Sequence, residues 1–121
     1  MPTLRERLQS ALVPAMKARD AAAVAALRAT LAAIENAAAI TLTPSAEPPP
    51  DGSAFAKAHA GLGVTEATRR AQDEAEVERI VRAEIAERLT AADEYARLQR
   101  PDHAQRLRAE AGVLASHLDA A

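Results

Sequence analysis

The side chains through which this chain could carry out catalysis are few, and their spacing fits no familiar catalytic pattern. The histidines are His59, His103 and His117, and none of them forms the pair four residues apart with which a helix holds zinc. The chain has no cysteine, which excludes a thiol nucleophile and a thiolate metal site. No serine stands in a nucleophile elbow, and no glycine-rich loop follows a strand. We therefore expect no catalytic residue, no cofactor and no metal site.

The acidic residues are more numerous, and we interpret them as parts of solvated helix surfaces. Catalysis by paired carboxylates needs a pocket and a raised pKa, and nothing in these positions requires either. In the longest predicted helix, three acids stand four residues before an arginine, which is the spacing of ion pairs on one helix face: Glu78 with Arg82, Glu84 with Arg88, and Asp93 with Arg97.

A small group of basic residues is the best candidate for a binding site. Lys17 and Arg19 stand where a first helix is predicted to stop, and Arg28 follows in a second helix. They could contact phosphate groups, but cations at a helix C-terminus also simply stabilise the helix dipole. The net charge of −2 argues against nucleic-acid binding by bulk electrostatics alone. Phe55 and Tyr95 are too few to form a stacking platform for single-stranded RNA. Of the two modes of RNA recognition, this leaves recognition of the shape of folded RNA.

The first element that positions these cations is an amphipathic helix near the N-terminus. Thr3 followed by Glu6 predicts a capping box at its start. Pro14 lies inside the helical pattern, which predicts a kink over residues 10–15 or, alternatively, a break. The apolar stripe of this helix recurs every four residues, at Leu4, Leu8, Leu12 and Met16.

A tight corner and a second helix follow. Asp20 is a good N-cap, and it predicts a helix that continues to about Ala39. Residues 17–20 then form the corner of a hairpin with antiparallel arms. The apolar positions of the second helix alternate three and four apart, at Val24, Leu27, Leu31, Ile34 and Ala38.

The second half of the chain begins with a predicted long loop, over about residues 41–72, which contains a triple proline. Asp73 with Glu76 resembles a second capping box, so we expect the longest helix to start there. Pro101 suits the first position of a last helix. The apolar residues of these two helices are Val77, Ile80, Val81, Ile85, Leu89, Ala92 and Tyr95, and then Leu107, Ala111, Leu114 and Leu118.

Composition agrees with an all-α fold. Hydrophobic residues make up 49% of the 121 residues but aromatic residues only 2%, and strong helix formers dominate. We predict a single domain, a small bundle of about four helices. We expect no stretch to approach the roughly 20 apolar residues of a membrane span, and no signal peptide is recognisable. We therefore expect a cytoplasmic protein without membrane contact.

Several stretches of the sequence resemble the GatB/YqeY family. The motifs are AMKARD with Leu27 and Arg28, AAIENA from Ala32, VERIVRAEIAER over residues 77–88, the Tyr95 turn before Arg100, and RAEAGVLASHL from Arg108. Members are small helical proteins similar to the C-terminal tail of the B subunit of aspartyl/glutamyl-tRNA amidotransferase. Longer members continue into a further small helical domain, which we do not expect here after Leu118.

The resemblance implies a non-catalytic accessory module that binds tRNA or a tRNA-processing complex of the amidotransferase type. Lys17, Arg19 and Arg28 are then the candidate nucleic-acid contacts. A label of glutamine-dependent carbon–nitrogen ligase would be inherited from the larger enzyme, whose catalytic domains are absent. The alternative is a protein-interaction or structural helical module that binds no nucleic acid.

Overall fold

Four α-helices make up the part of the chain that the computed structural model describes, which is residues 1–42 and 66–120. They are α1 (Leu4–Lys17), α2 (Ala21–Leu42), α3 (Glu66–Arg97) and α4 (Pro101–Asp119). The described ranges contain no strand. The prediction of a small all-α bundle is therefore confirmed.

Helix α1 begins at the predicted cap. The Thr3 hydroxyl accepts a hydrogen bond from the Glu6 backbone N–H at 3.2 Å. The Glu6 carboxylate accepts from the Thr3 hydroxyl at 3.1 Å, whereas a full capping box would use the Thr3 backbone N–H. Helix α1 continues through Pro14 to Lys17, so the alternative of a break is wrong, while the kink stays a prediction.

The first corner (residues 17–20) has the hydrogen bonds of a Schellman motif. The Arg19 N–H donates to the Met16 carbonyl at 3.1 Å, and the Asp20 N–H donates to the Ala15 carbonyl at 3.0 Å. Arg19 has a φ of 55°, in the left-handed region that such a corner requires. Asp20 then caps α2, because its carboxylate accepts from the Ala23 N–H at 3.1 Å. The predicted hairpin corner and its cap are both confirmed.

The predicted loop over residues 41–72 is too long at both ends. Helix α2 continues to Leu42 and α3 already begins at Glu66, so the cap-like pair Asp73 and Glu76 lies inside a helix. The physical reason is local: residues 66–72 are good helix formers except for Thr68, and Glu66 pairs with Arg70 at 3.4 Å. An apolar stripe is missing there because residues 66–76 are exposed and reach beyond the core. The remainder of the predicted loop, residues 43–65, lies outside the described residues.

The core is one cluster to which all four helices contribute. Each large aliphatic side chain in it stabilises the fold by about 1.5 to 3 kcal/mol before conformational entropy is subtracted. All its non-alanine members belong to the apolar stripes predicted from the sequence. The buried members are Leu8, Ala26, Leu27, Ile34, Ile80, Val81 and Leu114.

One polar contact fixes the direction of the helices. In the first turn of α1, the Arg7 guanidinium donates through Nη2 to the backbone carbonyl of His117, in the last turn of α4, at 3.1 Å. The start of α1 therefore lies beside the end of α4. Because short corners join α1 to α2 and α3 to α4, the helices run up, down, up and down. The first corner and the second corner (residues 97–100) consequently lie at the same end of the bundle.

Helix α2 corrects an expectation about membranes. The stretch Ala21–Ile40 has a mean hydropathy of 1.4 and is long and apolar enough, by length and composition, to cross a membrane. The expectation that no stretch approaches this limit was therefore wrong, since the many alanines between Ala21 and Ala33 raise the average without forming an obvious apolar run. A signal sequence near the N-terminus and a mostly buried core helix of a soluble protein pass the same test. In this stretch 33% of the window is buried, including Ala26, Leu27 and Ile34.

Candidate nucleic-acid interface

The three predicted nucleic-acid contacts lie at or beside the first corner. Lys17 is the last residue of α1, Arg19 is the left-handed residue of the corner, and Arg28 stands two turns into α2; all three are exposed. Arg28 Nη2 lies 3.7 Å from the Met16 sulfur, which directs its guanidinium back towards the end of α1. The hairpin thus brings Arg28 close to the two cations that precede it in the chain.

The charge at this corner is in excess and accessible. Among the described residues, none of Lys17, Arg19 and Arg28 forms an ion pair. The nearby Asp20 carboxylate caps α2 and keeps its charge, so three cations stand against one acid at this corner. Lys17 also stands in the last turn of α1, where a positive charge stabilises the helix dipole. The corner can therefore attract an anionic group with cations that form no ion pair with a carboxylate of the described ranges.

The body of α3 differs, because its arginines are largely matched by carboxylates. Arg82 pairs with Glu78 at 2.8 Å, as the spacing predicted, and both side chains are exposed. Arg79 donates to Glu76 at 2.9 Å, and this hydrogen bond holds the pKa of the Glu76 carboxyl below its ordinary value and raises the pKa of Arg79. The helix bodies therefore offer an anion less uncompensated positive charge than the first corner does.

Two other predicted pairs need correction. Glu84 and Arg88 do pair, at 3.0 Å, but they are not solvated: their side chains are only 18% and 12% exposed. Arg88 Nε also donates to Glu110 of α4 at 3.0 Å, which ties α3 to α4. The physical reason is that a partner on the facing helix lies outside the spacing rule for a single helix.

The other correction concerns Asp93. This carboxylate pairs with Arg108 of α4, at 3.3 Å, instead of with Arg97. Arg97 is exposed and forms no ion pair within the described residues. Asp93 and Arg97 have the spacing of an ion pair on one helix, but Asp93 pairs with Arg108 of the neighbouring helix.

A stacked aromatic pair beside the second corner was missed by the sequence reasoning. The rings of Tyr95, near the end of α3, and His103, near the start of α4, have centroids 4.9 Å apart and an angle of 25° between their planes. Tyr95 is half-buried and His103 is exposed. A signal was available, because the tight turn before Pro101 returns the chain beside the end of α3.

The stacked pair forms one wall of an open groove of about 440 Å³. Its other lining residues are Asp102, Arg106, Leu107 and Glu110. Glu110, whose side chain is only 11% exposed, is matched by Arg88 at 3.0 Å and by Arg106 at 3.6 Å. The lining of the groove therefore combines an aromatic pair with a buried acid that two arginines neutralise.

The remaining candidate residues do not converge with these. His117 lies in the last turn of α4, at the opposite end of the bundle from the corners, and His59 lies outside the described residues. Within residues 1–42 and 66–120 no three His, Asp or Glu side chains are grouped so that they could hold a metal ion.

Comparison with known proteins finds no protein-family model, no curated protein and no solved structure that matches the chain. The GatB/YqeY resemblance therefore stays a prediction that depends on the sequence motifs.

Proposed function

We propose that the protein is a non-catalytic, cytoplasmic helical module, related to the GatB/YqeY proteins, that binds tRNA or a tRNA-processing complex. The contact surface is the first corner, with Lys17, Arg19 and Arg28. The observation that carries the proposal is that these three cations are exposed and gathered at one corner without an ion-pair partner among the described residues.

The physical basis is the release of counterions from phosphates. A protein that neutralises phosphates with Lys or Arg binds less tightly as salt rises, in proportion to the number of contacts. With a net charge of −2, the chain as a whole repels a polyanion, so binding depends on this local excess of charge. Three contacts give weak binding, which suits an accessory module in a larger complex.

The test is tRNA binding measured over a series of salt concentrations. We expect affinity at low salt to fall in Lys17→Ala, Arg19→Gly and Arg28→Ala, with the salt slope smaller by about one for each phosphate that is no longer bound. Arg19→Gly is chosen because glycine suits the left-handed φ of 55°, so weaker binding cannot be attributed to a less stable corner. Arg82→Gln is the matched control, since it removes an exposed arginine that is already paired with Glu78.

Two results would overturn the proposal. One is absence of tRNA binding at low salt. The other is a salt slope that is unchanged in all three corner variants, or reduced equally by Arg82→Gln.

A second candidate function is binding to a protein, and two exposed apolar side chains favour it. Val13 and Met16, one turn apart on α1, are 53% and 45% exposed. Purification of the tagged protein with and without nuclease separates the two functions. Partners that remain after RNA is removed, and that no longer bind the double variant Val13→Ser with Met16→Ser, favour protein binding.

A further inference from the structure

We propose that the Tyr95–His103 pair at the second corner is a stacking surface for an unpaired base of the RNA that the first corner holds by its phosphates. This inference rests on the proposed function and extends it from charge alone to base contact. It predicts that the bound RNA includes an unpaired nucleotide near the phosphates that Lys17, Arg19 and Arg28 contact.

The first support is the position of the pair. The Arg7 contact with His117 places the start of α1 beside the end of α4, and the two corners consequently share one end of the bundle. Tyr95 is two residues before the end of α3, and His103 is in the first turn of α4. One RNA strand can therefore reach the first corner and the stacked pair together.

The second support is the geometry of the pair. One face of the His103 imidazole rests on Tyr95, with 4.9 Å between centroids, and His103 is nevertheless exposed. Both rings also line the open groove of about 440 Å³, so a further ring can approach the pair from that groove. Base stacking on an aromatic ring tolerates any base and contributes to single-strand binding.

The charges around the second corner explain why stacking, and not phosphate binding, is proposed there. Arg97 and Arg100 are exposed, but so are Glu94 and Asp102, so the local charges are balanced. A contact without excess charge adds affinity without adding to the salt dependence. This difference separates the two corners experimentally.

Intrinsic tyrosine fluorescence can test this inference, because the chain has one tyrosine and no tryptophan. Tyrosine emission therefore reports on Tyr95 alone. We expect this emission to decrease as tRNA saturates the protein, after correction for RNA absorption with N-acetyltyrosinamide in the same RNA solutions. A short single-stranded oligoadenylate is the second probe, and it should decrease the emission at higher concentrations.

Binding measurements on variants provide the decisive result. His103→Ala should weaken tRNA binding about fivefold or more while the salt slope stays the same, and His103→Phe, which keeps a flat ring, should restore the affinity. His117→Ala, on the same helix but at the other end of the bundle, is the control and should bind as the parent protein does. Far-UV circular dichroism confirms that each variant is folded.

The outcomes distinguish this inference from the proposed function. If His103→Ala binds as the parent does and Tyr95 emission does not change, while Lys17→Ala still lowers the salt slope, the stacking surface is wrong and the proposed function stands. If His103→Ala weakens binding but the three variants of the first corner leave the slope unchanged, the proposed function is overturned, and base stacking at the second corner is retained only for RNA whose phosphates are held elsewhere on the protein. Absence of binding to both RNA probes at low salt overturns both.

Discussion

Arg19 and Gln99 occupy the same position in two helix corners that lie far apart in the chain. Their φ angles are 55° and 58°, both in the left-handed region. The Gln99 N–H donates to the Ala96 carbonyl at 3.1 Å and the Arg100 N–H to the Tyr95 carbonyl at 2.8 Å, which repeats the bonding of the first corner. In each corner the next residue, Asp20 or Arg100, immediately precedes a new helix. The bundle is thus built from two hairpins with the same turn.

Neither corner has the glycine that this conformation favours, which gives a first prediction. Arg19→Gly and Gln99→Gly should each raise the free energy of unfolding by about 0.5 to 1 kcal/mol, because the left-handed strain removed exceeds the entropy that glycine adds to the unfolded chain. Urea denaturation measures the change. Ala18→Gly is the control: Ala18 has a φ of −76°, so glycine there should destabilise. A loss of stability in both corner variants would show that the side chains, and not the backbone, hold these corners.

A buried hydroxyl in α2 gives a second prediction. Thr30 is fully buried, and its Oγ1 has no hydrogen-bond partner among the residues that the structure describes. Thr30→Val replaces the hydroxyl with a methyl group of similar shape, so we expect it to stabilise the protein by about 1 kcal/mol in thermal or urea unfolding. Thr30→Ser keeps the hydroxyl and loses the buried methyl, and should therefore destabilise. If Thr30→Ser is more stable than Thr30→Val, the Thr30 hydroxyl forms a hydrogen bond in solution.

The sequence was sufficient for features that depend on neighbouring residues. Asp20 and Pro101 were identified as helix starts because a cap or a proline acts on the first turn that follows it. The Leu8, Leu27 and Leu114 stripes were found because helical periodicity is a property of one helix at a time. The position of the first corner followed from the same local pattern, a predicted helix end just before the N-cap Asp20.

Features that depend on two helices could not be predicted in this way. The contact between Arg88 and Glu110 joins residues 22 apart. The start of α3 was predicted too late, at Asp73. Residues 66–76 extend beyond the core, so they have no apolar stripe from which a helix could be predicted. The Tyr95–His103 pair also joins two helices, so helical periodicity does not reveal it, and the tight turn before Pro101 was its one sequence signal.

The exposed pair of Glu76 and Arg79 gives a prediction about pH. The hydrogen bond from Arg79 lowers the pKa of the folded Glu76 carboxyl below that of the unfolded chain. Such a group stabilises the fold above its unfolded pKa, and that stabilisation is lost as the pH falls through the folded pKa. In an NMR titration of the Glu76 carboxyl, Arg79→Gln should return its pKa towards the ordinary value. Identical titration curves in the parent protein and the variant would show that the pair does not persist in solution.

The buried pair of Arg88 and Glu110 should matter much more than an exposed one. Their side chains are 12% and 11% exposed, so Glu110→Ala leaves a poorly solvated guanidinium whose remaining partner among the described residues is Glu84. We expect a loss of about 2 kcal/mol of stability, as for a hydrogen bond to a charged group. Glu78→Ala is the matched control, because it removes an exposed acid from its Arg82 pair and should cost less than about 0.5 kcal/mol. Urea unfolding of both variants measures the difference. If Glu110→Ala and Glu78→Ala lose the same stability, the Arg88 guanidinium is solvated by water once Glu110 is removed. The contact between α3 and α4 then depends on apolar packing alone.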